Sequence, residues 1–76
     1  MKLYAYPNGK PRNEHGLLQL SELTFCGSSN ALRAIAQFLL TSADDMDRLG
    51  AEFSHSHLQD ADDAWDENWP DIIVAR

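Results

Sequence analysis

The sequence predicts a small α+β fold: a mainly antiparallel four-stranded sheet in the order β-β-α-β-β, with one helix packed on one face. Three observations predict it. Apolar residues alternate in short runs near both ends of the chain, a long central stretch repeats them at helical spacing, and 76 residues can enclose one hydrophobic core. A single domain over residues 1–76 is therefore expected. With 43% hydrophobic and 24% charged residues, the chain is too apolar for intrinsic disorder.

The first strand is expected from Lys2 to Tyr6, where Leu3 and Ala5 alternate with Tyr4 and Tyr6 before Pro7, Asn8, Gly9, Lys10 and Pro11 break the run. A second is expected from Leu17 to Phe25. Its apolar phase slips, since Leu18 and Leu20 share one parity and Leu23 and Phe25 the other, and a β-bulge near Ser21 or Glu22 would restore one face. Gly27, Ser28 and Ser29 then offer capping hydroxyls for a helix beginning at Asn30. Leu32, Ile35, Ala36, Leu39, Ala43 and Met46 recur at the spacing of one helical face, widened by Phe38, Leu40 and Leu49, and Gly50 supplies the stop. Phe53, His55 and His57 share one parity of a short third strand. Residues 59–70 read as a long loop, and Ile72, Ile73 and Val74 form a fourth strand opened by Pro70. If Ile72 and Val74 face the helix, Ile73 points to the far side, where the loop, a second copy of the chain or a partner must cover it.

Charge is unevenly placed. The net charge of −6 divides into +2 over residues 1–43 and −9 over residues 44–71, where ten acids face Arg48 alone, and Arg76 closes the balance. That field repels nucleic acid phosphates and anionic lipid and attracts basic proteins, so neither nucleic acid nor membrane is an expected partner. A solvated face that aids solubility is the plainer reading of the same acids. No apolar run reaches the roughly 18 residues needed to span a bilayer. The opening residues lack the pattern of a signal peptide, and Cys26 has no second cysteine to pair with, so the cytoplasm is the expected compartment.

Few residues suggest catalysis or a cofactor. His55 and His57, two apart on a strand, point to the same side and offer two imidazoles to a metal, with Asp60 or His15 as a third ligand. That spacing is far less specific than a zinc finger, and histidines hydrogen-bonded to neighbouring carboxylates explain it as well. Cys26 before Gly27 reads as a small buried residue ending a strand rather than an activated thiol. Adjacent acids such as Asp62 and Asp63 are not in themselves an acid/base pair, and there is no phosphate-binding glycine loop. A non-enzymatic protein without cofactor or metal is expected.

The C-terminal third runs His55, Ser56, His57, Leu58, Gln59, Asp60 and then Trp65, Asp66, Glu67, Asn68, Trp69, Pro70, Asp71, Ile72, Ile73, Val74. This pattern, with the opening Lys2 to Pro7, the strand before the helix and the segment Leu32 to Leu40, resembles the small immunity proteins of bacterial polymorphic toxin systems, in particular immunity protein thirty-two. The resemblance implies a non-enzymatic antidote that binds and neutralises a cognate toxin. It carries no set of binding residues, so the surface is argued from chemistry. Asp62, Asp63, Trp65, Asp66, Glu67 and Trp69 are the candidates: indoles supply rigid contact area, and the carboxylates beside them suit a basic toxin. Alternatively the indoles plug the end of the core, Trp69 beside Pro70 more than Trp65. A homodimer is compatible with the sequence, and a metal-binding role or a place as subunit of a larger assembly stays open.

Overall fold

A computed structural model describes residues 1–76. Strands β1 (Lys2–Pro7) and β2 (Leu20–Cys26) pair antiparallel, with Leu3 opposite Phe25 and Ala5 opposite Leu23. The register shifts where Tyr6 pairs with Glu22 and Pro7 with Leu20, which leaves Ser21 as the extra residue. This is the bulge that the slipped apolar phase calls for. The Ser21 hydroxyl donates to the Tyr6 carbonyl at 3.2 Å and holds it.

Helix α1 (Ser29–Leu49) starts one residue before the expected position. Ser28 caps it, its Oγ accepting the Ala31 N–H at 3.1 Å. Gly50 ends it at φ 56°, a conformation that favours glycine, with its N–H donated to the Met46 carbonyl. A single 3₁₀ turn (Gly50–Glu52) leads to β3 (His55–His57), the one-turn helix α2 (Leu58–Ala61) and finally β4 (Ile73–Ala75). Strands β3 and β4 pair antiparallel, His55 opposite Ala75, Ser56 opposite Val74 and His57 opposite Ile73. The Arg76 guanidinium donates to the Gly50 carbonyl, tying the C-terminus to the end of α1.

The α+β class is as expected, but the expected four-stranded sheet is corrected to two separate two-stranded sheets, β1-β2 and β3-β4, and the one helix to two. Alternation in a sequence assigns faces to a strand and not partners. Here β3 and β4 are three residues each, a ladder too short to recruit the longer hairpin.

The core forms where Ile35 and Phe38 of α1 meet Leu58 of α2, with Met1, Trp65, Trp69, Ile72 and Val74 packed around them. The buried seam of α1 is Ala31, Ile35, Phe38 and Ser42. It keeps Ile35 and Phe38 of the expected broad stripe but is centred elsewhere: Leu32 and Leu39 are 43% and 44% exposed, and Ala36 and Ala43 are exposed too. The helix carries two apolar stripes displaced by one residue, about 100° around its axis, and periodicity alone does not choose between them. Ser42 belongs to the buried one because its hydroxyl meets that of Ser56 at 2.9 Å, which satisfies both away from water.

Two further expectations are corrected by the same geometry. Phe53 is buried but precedes β3, whose inward residue is Ser56. Cys26 is exposed, because no helix covers the hairpin it ends. The hairpin's apolar face is bare as well, with Leu23 50% and Phe25 40% exposed. No helix of the protein is long and apolar enough to cross a membrane.

Candidate recognition loop

Between α2 and β4 the chain makes two successive turns of the same design. Asp62 begins the first, with its Oδ1 accepting the Ala64 N–H at 2.8 Å and its carbonyl accepting the Trp65 N–H at 3.0 Å. Asp66 begins the second, with its Oδ1 accepting the Asn68 N–H at 2.7 Å and its carbonyl accepting the Trp69 N–H at 2.9 Å. Each is an aspartate-initiated turn that closes on a tryptophan. The sequence signal is a tandem Asp-x-x-Trp, Asp62-Asp63-Ala64-Trp65 followed by Asp66-Glu67-Asn68-Trp69, which composition and charge runs alone do not pick out.

This arrangement divides the six candidates by task. Trp65 and Trp69 are both half-buried and lie against the Ile35, Phe38 and Leu58 cluster, so both indoles fasten the loop to the core. The Trp65 indole N–H donates to the Pro70 carbonyl at 3.2 Å, giving its buried polar atom a partner. Asp62 and Asp66 spend an oxygen each on their own turns. Asp63 and Glu67, at the second position of each turn, are exposed and have no hydrogen-bond or ion-pair partner. No lysine or arginine stands between Arg48 and Arg76 to neutralise them. Both indoles are half-buried, since each turn aims its closing indole at the same cluster.

The loop is clamped at both ends. At its start the Leu58 N–H donates to the Ile72 carbonyl at 2.8 Å. At its finish one oxygen of Asp71 meets His57 Nδ1 at 2.6 Å while the other accepts the Gln59 N–H at 3.1 Å. Burial pushes the Asp71 carboxyl up, but the hydrogen bonds from His57 and from the amides of Gln59 and Ile72, with the attraction of the imidazolium, outweigh it and hold the group below the usual carboxylate range. A carboxylate partner for His57 is the plainer of the two readings the sequence offers, but Asp71 as that partner is passed over by sequence reasoning.

His55 and His57 do share one side of β3, their rings edge to face with centroids 5.0 Å apart. His57 is engaged by Asp71, and His55 Nδ1 lies 3.0 Å from the Ser54 hydroxyl. His15 sits in the hairpin loop, where it pairs with Glu14 at 3.5 Å. No group of three or more histidine, cysteine or acidic side chains is arranged to hold a metal ion. On the same outer face Ile73 is 54% exposed, while Ile72 and Val74 pack inward as their parity requires, so the loop does not cover Ile73.

The sequence profile of the family described as Immunity protein 32 matches residues 22–76, from the middle of β2 through both tandem turns to the C-terminus. The chain belongs to that family. No curated protein sequence and no solved structure matches it. The immunity protein 32 match includes α1, the Asp71 clamp and all six candidate loop residues, whereas β1 and the hairpin loop lie outside the matched residues.

Proposed function

We propose that this immunity protein neutralises a cognate basic toxin by occupancy and not by catalysis, through the loop from Asp62 to Trp69. In this reading residues 1–76 act as one domain in the cytoplasm. The observation that carries it is the tandem turn: two indoles anchored in the core hold Asp63 and Glu67 out into water without any partner of their own. A rigid display of unpaired carboxylates stabilises encounter with a basic surface, because little ordering entropy remains to be lost on binding. The ten acids of residues 44–71 extend the same field. The half-exposed edges of Trp65 and Trp69 supply the apolar contact beside those charges.

Co-expression with the toxin encoded beside the gene tests the reading, followed by binding kinetics with purified proteins. Asp63→Lys with Glu67→Lys leaves both turns intact and lowers the association rate about tenfold or more at low salt, with a shallower salt dependence. Trp65→Ala acts mainly on dissociation, and its folding is checked separately because the indole also packs on the core. Unchanged kinetics in the charge-reversed variant removes the loop from the interface. A chain that protects against no toxin removes the proposal altogether.

A further inference from the structure

One stripe of α1 is left exposed and has a self-complementary pattern. Leu32, Ala36, Leu39 and Ala43 follow one another at steps of four, three and four, the seam of a coiled coil, and all four are exposed. Read backwards, large and small residues exchange places: Leu32 falls level with Ala43, and Ala36 with Leu39. An antiparallel pairing of two copies therefore sets a leucine against an alanine at every level, which is the self-complementarity a two-fold interface requires.

Charge follows the same symmetry. Arg33 flanks the stripe, and its guanidinium reaches back toward the start of α1, 3.4 Å from Ser29 Oγ and 3.0 Å from Asn30 Oδ1. Antiparallel helices bring that end level with the acidic end of the neighbour, where Asp47 lies on the same flank without an ion-pair partner. Parallel helices would instead keep the two Arg33 level at one end and the two Asp47 level at the other, on opposite flanks, so that acid and base do not meet.

The chain leaves more surface bare than a compact monomer of its mass. A compact monomer of 8.5 kDa exposes about 4,700 Å², whereas this chain exposes 5881 Å². Its radius of gyration is 13.6 Å against about 11 Å for a compact chain of the same length. The excess, roughly 1,200 Å² per chain, is divided between the hairpin, where Leu23 and Phe25 are bare, and α1, where Leu32, Leu39 and Leu40 are.

We propose that the protein is a two-fold homodimer whose α1 helices pack antiparallel across Leu32, Ala36, Leu39 and Ala43. This inference does not rest on the toxin reading. Sedimentation of the full chain over a range of concentrations tests it. The expected result is a dimer that Leu39→Glu weakens by at least about a hundredfold, since the side chain enters the interface twice. Helix content and melting of the variant at monomeric concentrations show whether it is folded. If it is not, a charge exchange decides: Arg33→Glu or Asp47→Arg alone weakens the dimer several-fold, and the two together restore it. A chain that stays monomeric at its highest soluble concentration overturns the proposal, including the case where stripe variants lose toxin binding instead. So does a dimer that Leu39→Glu leaves intact and Leu23→Glu on the hairpin dissolves.

Discussion

The two oxygens of Asp71 face different elements, one the His57 imidazole at the end of β3 and the other the Gln59 amide at the start of α2. A side chain just before β4 thereby fixes the geometry of both neighbours. Because its carboxyl is held below the usual range in the folded protein, it stabilises the fold fully above the ordinary carboxylate range, and that contribution is lost as pH falls through the depressed value. Asp71→Asn should lower the melting temperature at neutral pH by about 4–8 °C, as expected for roughly 1 kcal/mol lost from a domain of this size. The same variant should lose stability less steeply on acidification, and thermal melts across the acid range check both outcomes. An equally steep acid limb would assign that limb to other carboxylates. At this scale little was legible in the sequence, where Asp71 is one of ten acids in a run and its role depends on a partner fourteen residues away.

Helix α1 shows how far an element can be read and where reading fails. Its start, its stop at Gly50 and its apolar character follow from local chemistry, and its bounds were expected to within a residue. Which stripe is buried depends on what the rest of the chain brings to it. Here the one-turn helix α2 brings Leu58, which is fully buried against Ile35 and Phe38. Phe38→Ala should accordingly cost about 3–5 kcal/mol, and Leu39→Ala less than about 1 kcal/mol, when denaturation is followed in solution dilute enough for monomers. The opposite order would return Leu39 to the core. The hairpin gives a second test at this scale, since a two-stranded ribbon without a covering layer is marginal by itself. Amide hydrogens of Tyr4, Tyr6 and Thr24 should exchange at least about tenfold faster than those in the middle of α1, measured by hydrogen exchange under native conditions. The bulge at Ser21 was legible because it must repair an apolar phase; the bareness of the repaired face was not, because alternation says nothing about what lies above it.

Over the whole molecule, charge and apolar surface are sorted to different places: the hairpin half is weakly basic, the C-terminal part strongly acidic, and the bare apolar groups lie on the hairpin and on α1. Linear order alone shows the charge separation, so the proposal of a basic partner draws on the sequence more than on the fold. The sheet topology was not, since it depends on strands of three residues that choose their partner by tertiary contact. The loop's candidates were all visible in sequence, yet their division into anchors, turn formers and free carboxylates came from the hydrogen bonds. The division also has an optical side. The chain has two tryptophans, both in the tandem turns and both at the border between core and water, so nearly all of its ultraviolet emission arises from the proposed recognition loop. A toxin that seats on the loop dries those indoles and shifts their emission to shorter wavelength, whereas pairing of two copies along α1 leaves the colour unchanged. Light from two side chains thus tells the two kinds of association apart without a label.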